Sequence, residues 1–340
     1  MRRGFVLSVV WVLLAAGGAM GQEGAPPEEE VFYKNSLHFT NRGIEFVYSK
    51  EHGGLERLTG LSATDAGCLK AKCHVRSCDT CHKTEIDGKA SYSVENARTE
   101  EACKKCHPVP EDTPDVHVKA GMKCMDCHTA REIHGDGVVY DTYMKPGFFD
   151  ARCENCHKDI PQFASHALHG GKLDCAACHV AKVTTCFNCH IETRLAVGKD
   201  SSIEVEGMFF LVNHDNKVKL ANVLSYVYGN KTMITVAPTS PHAIVRQGRQ
   251  CEACHATDIV RRVKKGSLEL FAWRGGKAES PKGVIPIIDG MKWNVAYLGK
   301  KDGTWVPLAD AEDPLINFSG YCSPLSGEQL KKLEKRQPAR

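Results

Sequence analysis

The sequence predicts a chain of two unlike parts: a region of short helices and much irregular structure that cannot form a core from its own side chains, and a smaller β-rich C-terminal part. Three observations predict this. Cysteine is concentrated, 17 in 340 residues, and most fall before residue 191 at one repeated spacing. The segments between these cysteines are short and carry few apolar side chains. Runs of β-branched and aromatic residues long enough for a sheet begin only after Ile191.

The repeated spacing carries the chemistry. Seven times the chain reads Cys, two residues, Cys, His: Cys78-Cys81-His82, Cys103-Cys106-His107, Cys124-Cys127-His128, Cys153-Cys156-His157, Cys175-Cys178-His179, Cys186-Cys189-His190 and Cys251-Cys254-His255. An eighth site, first in chain order, is Cys68-Cys73-His74, with four residues between its cysteines. Two thiols at this spacing form thioethers with the two vinyl groups of one haem, and the adjacent His then lies beneath the iron as its proximal ligand. Structural zinc sites also use paired cysteines, but they do not need a His directly after every second Cys. His fills only 16 of 340 positions, so eight such adjacencies are not chance. A disulfide framework, the ordinary reading of a Cys-rich exported chain, fails for the same reason. At the first site, Cys68 as a free or paired thiol stays open as the alternative. Cys322 stands outside the pattern and reads as a lone thiol.

The first residues predict the compartment. Arg2 and Arg3 precede an apolar run from Phe5 to Ala16, and small residues follow at Gly17, Gly18, Ala19 and Gly21. That is the layout of a secretory signal peptide, residues 1–21, cleaved after Gly21. The apolar run is too short for a transmembrane anchor, and no later stretch is long enough. The Arg pair faintly suggests a twin-Arg signal, which suits folded cargo and fits poorly with haem attachment after export. The expected location is periplasmic or extracellular. The leader holds two of the 44 Lys plus Arg and none of the 41 Asp plus Glu, so the mature chain is almost neutral. Nothing here suggests nucleic acid, which calls for a clustered basic face.

The motif positions divide the remainder. Residues 22–67 form an N-terminal arm whose Pro- and Glu-rich start is expected to be disordered. Residues 68–190 form a seven-haem domain in which porphyrins are the core, wrapped by short helical turns. Residues 191–250 read as a β-rich insertion: Met208 to Val212 and Lys217 to Val227 flank the turn-like Asp215-Asn216, and Met233 to Val236 follows Gly229-Asn230. Residues 251–340 hold the eighth haem and a β-rich segment, with strands at Leu268 to Trp273, Val284 to Ile288 and Trp293 to Leu298. The last of these turns through Lys301-Asp302-Gly303 into Trp305-Val306. A short polar helix near Gly327 to Lys335 closes the chain.

Eight histidines remain beyond the proximal set: His38, His52, His117, His134, His166, His169, His214 and His242. Their number permits a distal imidazole on every iron. An iron with two imidazoles exchanges electrons and offers no site for substrate. His117, His169 and His242 lie shortly upstream of a motif; His134 and His166 lie within the dense region, and His38 lies in the arm. His52, before Gly53-Gly54, and His214, in a predicted hairpin turn, read equally well as solvated loop residues.

The run from Cys68 to His190 resembles the octahaem and related multihaem c-type cytochromes of anaerobic respiratory bacteria. Its Gly121-Met122-Lys123-Cys124-Met125-Asp126-Cys127-His128 approach and His134-Gly135-Asp136-Gly137 carry the likeness. The four-residue spacing of the first motif is similar to that in low-potential multihaem cytochromes. The resemblance implies eight covalently attached haem c groups and a role in anaerobic or extracellular respiration. It covers electron carriers, extracellular filaments and reductases similar to octahaem tetrathionate reductase and hydroxylamine oxidoreductase. Two departures weigh against the reductases: no motif ends in Lys in place of His, and no long helices follow the last motif.

Each haem adds two propionates, which takes eight haems and their near-neutral chain to roughly −7 oxidised and −15 reduced. Lys104, Lys105, Lys119, Lys123 and Lys158 read either as propionate partners or as an ordinary solvated face. Ligation by His without Met predicts low potentials. The sequence therefore points to an electron carrier whose partners are redox protein donors and acceptors. A multihaem reductase of nitrite, hydroxylamine or tetrathionate at one open haem, and a filament subunit whose neighbour supplies a missing His, are the alternatives.

Overall fold

The structure, a computed structural model, describes residues 33–67, 75–107, 113–198 and 201–335. The expected signal peptide and the first motif, Cys68, Cys73 and His74, lie outside these residues. Among the described residues no helix is long and apolar enough to cross a membrane.

The described residues between 33 and 182 are a succession of one- and two-turn helices joined by loops, with one small hairpin, β1 (Lys83–Ile86) and β2 (Lys89–Tyr92). Helices this short are not stable alone, and side-chain caps hold many of them. Ser93, Thr99, Asp115, Thr129 and Asp174 each accept a backbone N–H from the first turn that follows. Among the described residues between 75 and 170 the buried apolar side chains are only Ala102, Met144 and Phe148, and none belongs to a hydrophobic cluster.

The second part is built on a mixed eight-stranded sheet of β3 (Thr184–His190), β4 (Ile203–Glu206), β5 (Met208–His214), β6 (Lys217–Tyr228), β7 (Lys231–Pro238), β10 (Gly283–Pro286), β14 (Leu315–Phe318) and β15 (Cys322–Ser323). The intervening strands β8 (Glu269–Arg274), β9 (Lys277–Glu279) and β11 (Asn294–Val295) form a separate three-stranded sheet, and β12 (Leu298–Lys301) pairs with β13 (Thr304–Pro307). The hairpin between β5 and β6 turns at Asp215 and Asn216, with φ of 52° and 57°. Two left-handed residues in a row match the twist of the flanking strands. Phe187, Met208, Phe210, Val223, Ile234, Leu270, Phe271 and Ile285 are buried in its main core. The polar C-terminal helix runs Gly327–Glu334, closed by a Ser326–Gln329 capping box.

Two boundaries drawn from the sequence move. The β-rich part starts before Ile191, because the seventh motif itself is a strand that pairs with β4 and, in parallel, with β6. Residues 191–250 are not a separate insertion either: β10 and β14 from the C-terminal segment add in parallel to β5 and β7. The arm also joins this part, with Leu58 of helix Glu56–Thr59 buried against Ile191 and Met233.

Candidate functional site

Six of the seven described motifs share one local shape. A single turn closes from the first Cys carbonyl to the His N–H: Cys78 to His82, Cys103 to His107, Cys124 to His128, Cys153 to His157 and Cys251 to His255 at 2.8 to 3.0 Å, with Cys175 to His179 forming a helix. One turn puts positions i and i+3 on the same face, which is what two thiols need to reach one porphyrin. Among the described residues no motif cysteine is joined in a disulfide.

In these six motifs the proximal His faces one non-motif His. Ring centroids are 5.9 Å apart for His82 and His134, 6.2 Å for His107 and His38, and 6.1 Å for His128 and His242. They are 6.0 Å apart for His157 and His117, 6.2 Å for His179 and His166, and 6.0 Å for His255 and His169. Two imidazoles on opposite sides of one metal, each bonded at about 2 Å, have centroids roughly 6 Å apart. Ordinary ring packing spans a broader range, about 4.5–7 Å. It also gives no reason for every pair to combine one motif His with one non-motif His.

The hydrogen bonds of these rings leave Nε2 for a metal. Nδ1–H donates to a backbone carbonyl from His166 (Pro161, 2.7 Å), His169 (Ser165, 2.9 Å), His179 (Val245, 3.1 Å) and His255 (Lys332, 2.9 Å). An acceptor on Nδ1 fixes both tautomer and ring orientation. At His128 and His117 the acceptors are instead the carboxylates of Glu132, at 2.6 Å, and Asp115, at 3.2 Å. Burial alone would raise the Glu132 carboxyl. Hydrogen bonds from His128 and from the backbone N–H of Ala151 and Asp150 outweigh it and hold the group below the usual carboxylate range. Burial, with His107 and His134 nearby, lowers the pKa of His38 and favours the neutral ring a metal requires. A Cβ added at Gly248 would lie 3.3 Å from Nε2 and Cε1 of His179, so glycine keeps that nitrogen clear. Among the described residues no three His, Cys, Asp or Glu side chains converge as a bare metal-ion site. Two axial imidazoles suffice where a porphyrin supplies the other four nitrogens.

The seventh motif differs at every point. It does not form the turn: the His190 N–H bonds Ser201, and Asn188 takes a left-handed φ of 57°. Its expected helical turn is replaced because β4 and β6 offer the backbone a strand pairing on either side. Asn188 is tied to Ala296 and Leu298, and Nε2 of His190 hydrogen-bonds the Leu298 carbonyl at 2.8 Å. His190 packs against Trp305 at 5.3 Å and faces no second imidazole among the described residues.

Two non-motif histidines remain outside the described pairs. His52 is exposed, its Nδ1 3.2 Å from Ser49 Oγ and its ring on Phe46. His214 is not a solvated loop residue: it ends β5, is buried, and uses Nε2 toward the Met144 carbonyl at 2.9 Å. Of the lysines, Lys104 pairs with Glu100 and Lys105 donates to the Thr80 carbonyl, while Lys119, Lys123 and Lys158 are exposed. The sequence reading passed over Glu132 and Asp115. Glu132 lies four residues after His128, in the first turn of the next helix, Ala130–His134, and Asp115 is the N-cap two residues before His117.

No protein-family model and no curated protein matches the chain. Among solved structures it is similar to the crystal structure of octaheme cytochrome c from Shewanella oneidensis, at 19% identity over 51% of each chain and with a TM-score of 0.29. The chain thus spans about half the length of that protein, a distant likeness that carries no weight beside the chain's own residues.

Proposed function

We propose that the chain is an exported multihaem c-type cytochrome that carries electrons between redox proteins. The observation that carries this reading is the set of six His pairs, each joining a motif His to a non-motif His at 5.9 to 6.2 Å. Haem c at these positions would supply one-electron iron(III)/iron(II) exchange. The protein's part is to anchor the porphyrin through two thioethers, to close both axial positions with imidazole and to keep small ligands from the metal. The same attachment chemistry extends to the first and seventh motifs, for eight haems in all. Intact mass of the mature protein tests this, with eight covalent haem masses expected. Haem that acid-acetone extracts from the chain sinks the reading.

One observation favours a second reading, a reductase of a small nitrogen or sulfur species. His190 is the described motif His that faces no other imidazole. A haem held by His190 would find no second imidazole among the described residues, and His190 would have to give up its Leu298 hydrogen bond to hold it. Carbon monoxide or cyanide binding at one haem, together with turnover of nitrite, hydroxylamine or tetrathionate, decides for the reductase. Low-spin iron throughout and no ligand binding decide for the carrier.

A further inference from the structure

The six paired sites lie in single file. Cys81 of the second motif is near Cys106 of the third, and Cys103 is near Cys124 of the fourth. Cys127 is near Cys156 of the fifth, and Cys153 is near Cys175 of the sixth. Cys178 is beside Cys251 and Cys254 of the eighth. The distal side repeats the order. Asp115, next to His117 of the fifth site, accepts the Ile244 N–H two residues after His242 of the fourth, and helix Ala164–His169 supplies both His166 to the sixth site and His169 to the eighth.

Within this file the groups that back the imidazoles differ. The sites at the sixth and eighth motifs, at one end of the file, back their imidazoles with neutral carbonyls. The two central sites, fourth and fifth, are backed by buried carboxylates. Glu132 is the stronger of the two. Its Oε2 faces His128 at 2.6 Å, whereas the Oδ1 of Asp115 is 3.2 Å from His117 and also accepts that residue's own N–H. A carboxylate on Nδ1 makes an imidazole more basic and adds negative charge near the metal, and both favour iron(III).

We propose that Glu132, acting through His128, makes the fourth-motif iron the lowest-potential position in a relay running from the second motif to the eighth, with Asp115 making the fifth the next lowest. Electrons then rest on either side of the carboxylate-backed centre and cross it one at a time. Each crossing oxidises one iron(II) and reduces the neighbouring iron(III), with no bond made or broken. Glu132 and Asp115 are positioning residues in this scheme, since each touches a ligand and not the iron.

This inference rests on the proposed haem reading and has its own test. The haem-loaded protein and its Glu132→Gln variant, poised at a series of potentials, are read by low-temperature EPR. Gln keeps an acceptor for His128 and removes the charge. At the fixed potential where the lowest wild-type component is one-tenth reduced, its reduced-to-oxidised ratio is expected to rise about tenfold or more in the variant, with haem mass and low-spin signals unchanged. Asp115→Asn is expected to give a smaller rise in a different component. Unaltered potentials in a fully loaded Glu132→Gln protein overturn the proposal. Should that variant not accumulate with its full haem mass, unaltered potentials in Asp115→Asn overturn it equally. Absence of covalent haem from the wild type is a separate outcome that sinks the cytochrome reading itself.

Discussion

Among the described residues between 75 and 170 the buried apolar side chains are Ala102, Met144 and Phe148, whereas Met208, Phe210, Val212, Leu220, Ala221 and Val223 are fully buried along just two strands of the sheet. The two regions hold their shape by different means. In the sheet, burial of large apolar groups contributes about 1.5–3 kcal/mol per side chain. In the first region, local caps and buried polar groups such as Asp115 and Glu132 fix short turns, and those turns aim six His pairs. The difference teaches that the first region lacks the apolar burial that holds the second, which has a conventional core.

The largest expected effect follows from this contrast. Expression without haem attachment should leave residues 75–170 open to rapid hydrogen exchange while β5, β6 and β7 stay protected, because only the latter bury enough apolar area. Equal protection of both regions would show that the first has a core of its own.

The reverse experiment loosens the sheet and spares the haems. Phe210→Ala, at a fully buried position, should cost about 3–5 kcal/mol in denaturant unfolding. The visible spectrum below the transition should not change. A shifted spectrum at low denaturant would mean that the regions are more tightly coupled than the contrast allows.

Histidines sharpen it further. His214→Ala removes a ring buried in the sheet and leaves the Met144 carbonyl without its donor, an expected loss of about 1–3 kcal/mol with no high-spin iron. His166→Ala, at a half-buried position, should do the opposite: little change in unfolding and one new high-spin haem by EPR. High-spin iron in His214→Ala would make that residue a ligand and break the division.

The smallest effect belongs to the C-terminal helix. Ser326→Ala removes one half of its capping box and should cost about 1 kcal/mol by thermal unfolding. Haem content should be unaffected.

Much of the chain was legible because its signals are local. A motif of five residues specifies a single helical turn by its own spacing, and Asp215-Asn216 specifies a hairpin because two left-handed residues match strand twist. The helix from Gly327 to Glu334 shows in Ser326 and Gln329 alone. The pairing of histidines was not legible, since His128 and His242 are far apart in sequence and nothing near either names the other. Nor was the fate of the seventh motif. Its sequence is indistinguishable in type from the rest, and only the strands on either side of it, with Ala296 and Leu298 from far along the chain, draw it into a sheet.

The sequence by itself therefore determined the motif spacing, the count of motifs and imidazoles, and the hairpins and terminal helix, all of which depend on residues within a few positions of one another. Tertiary structure alone decided which imidazole faces which, that β10 and β14 join the sheet in parallel, that His214 is buried and that Glu132, buried in the first turn of its helix, backs His128. These are contacts between distant segments or through buried polar groups, and their free energy depends on burial and geometry that no local spacing encodes.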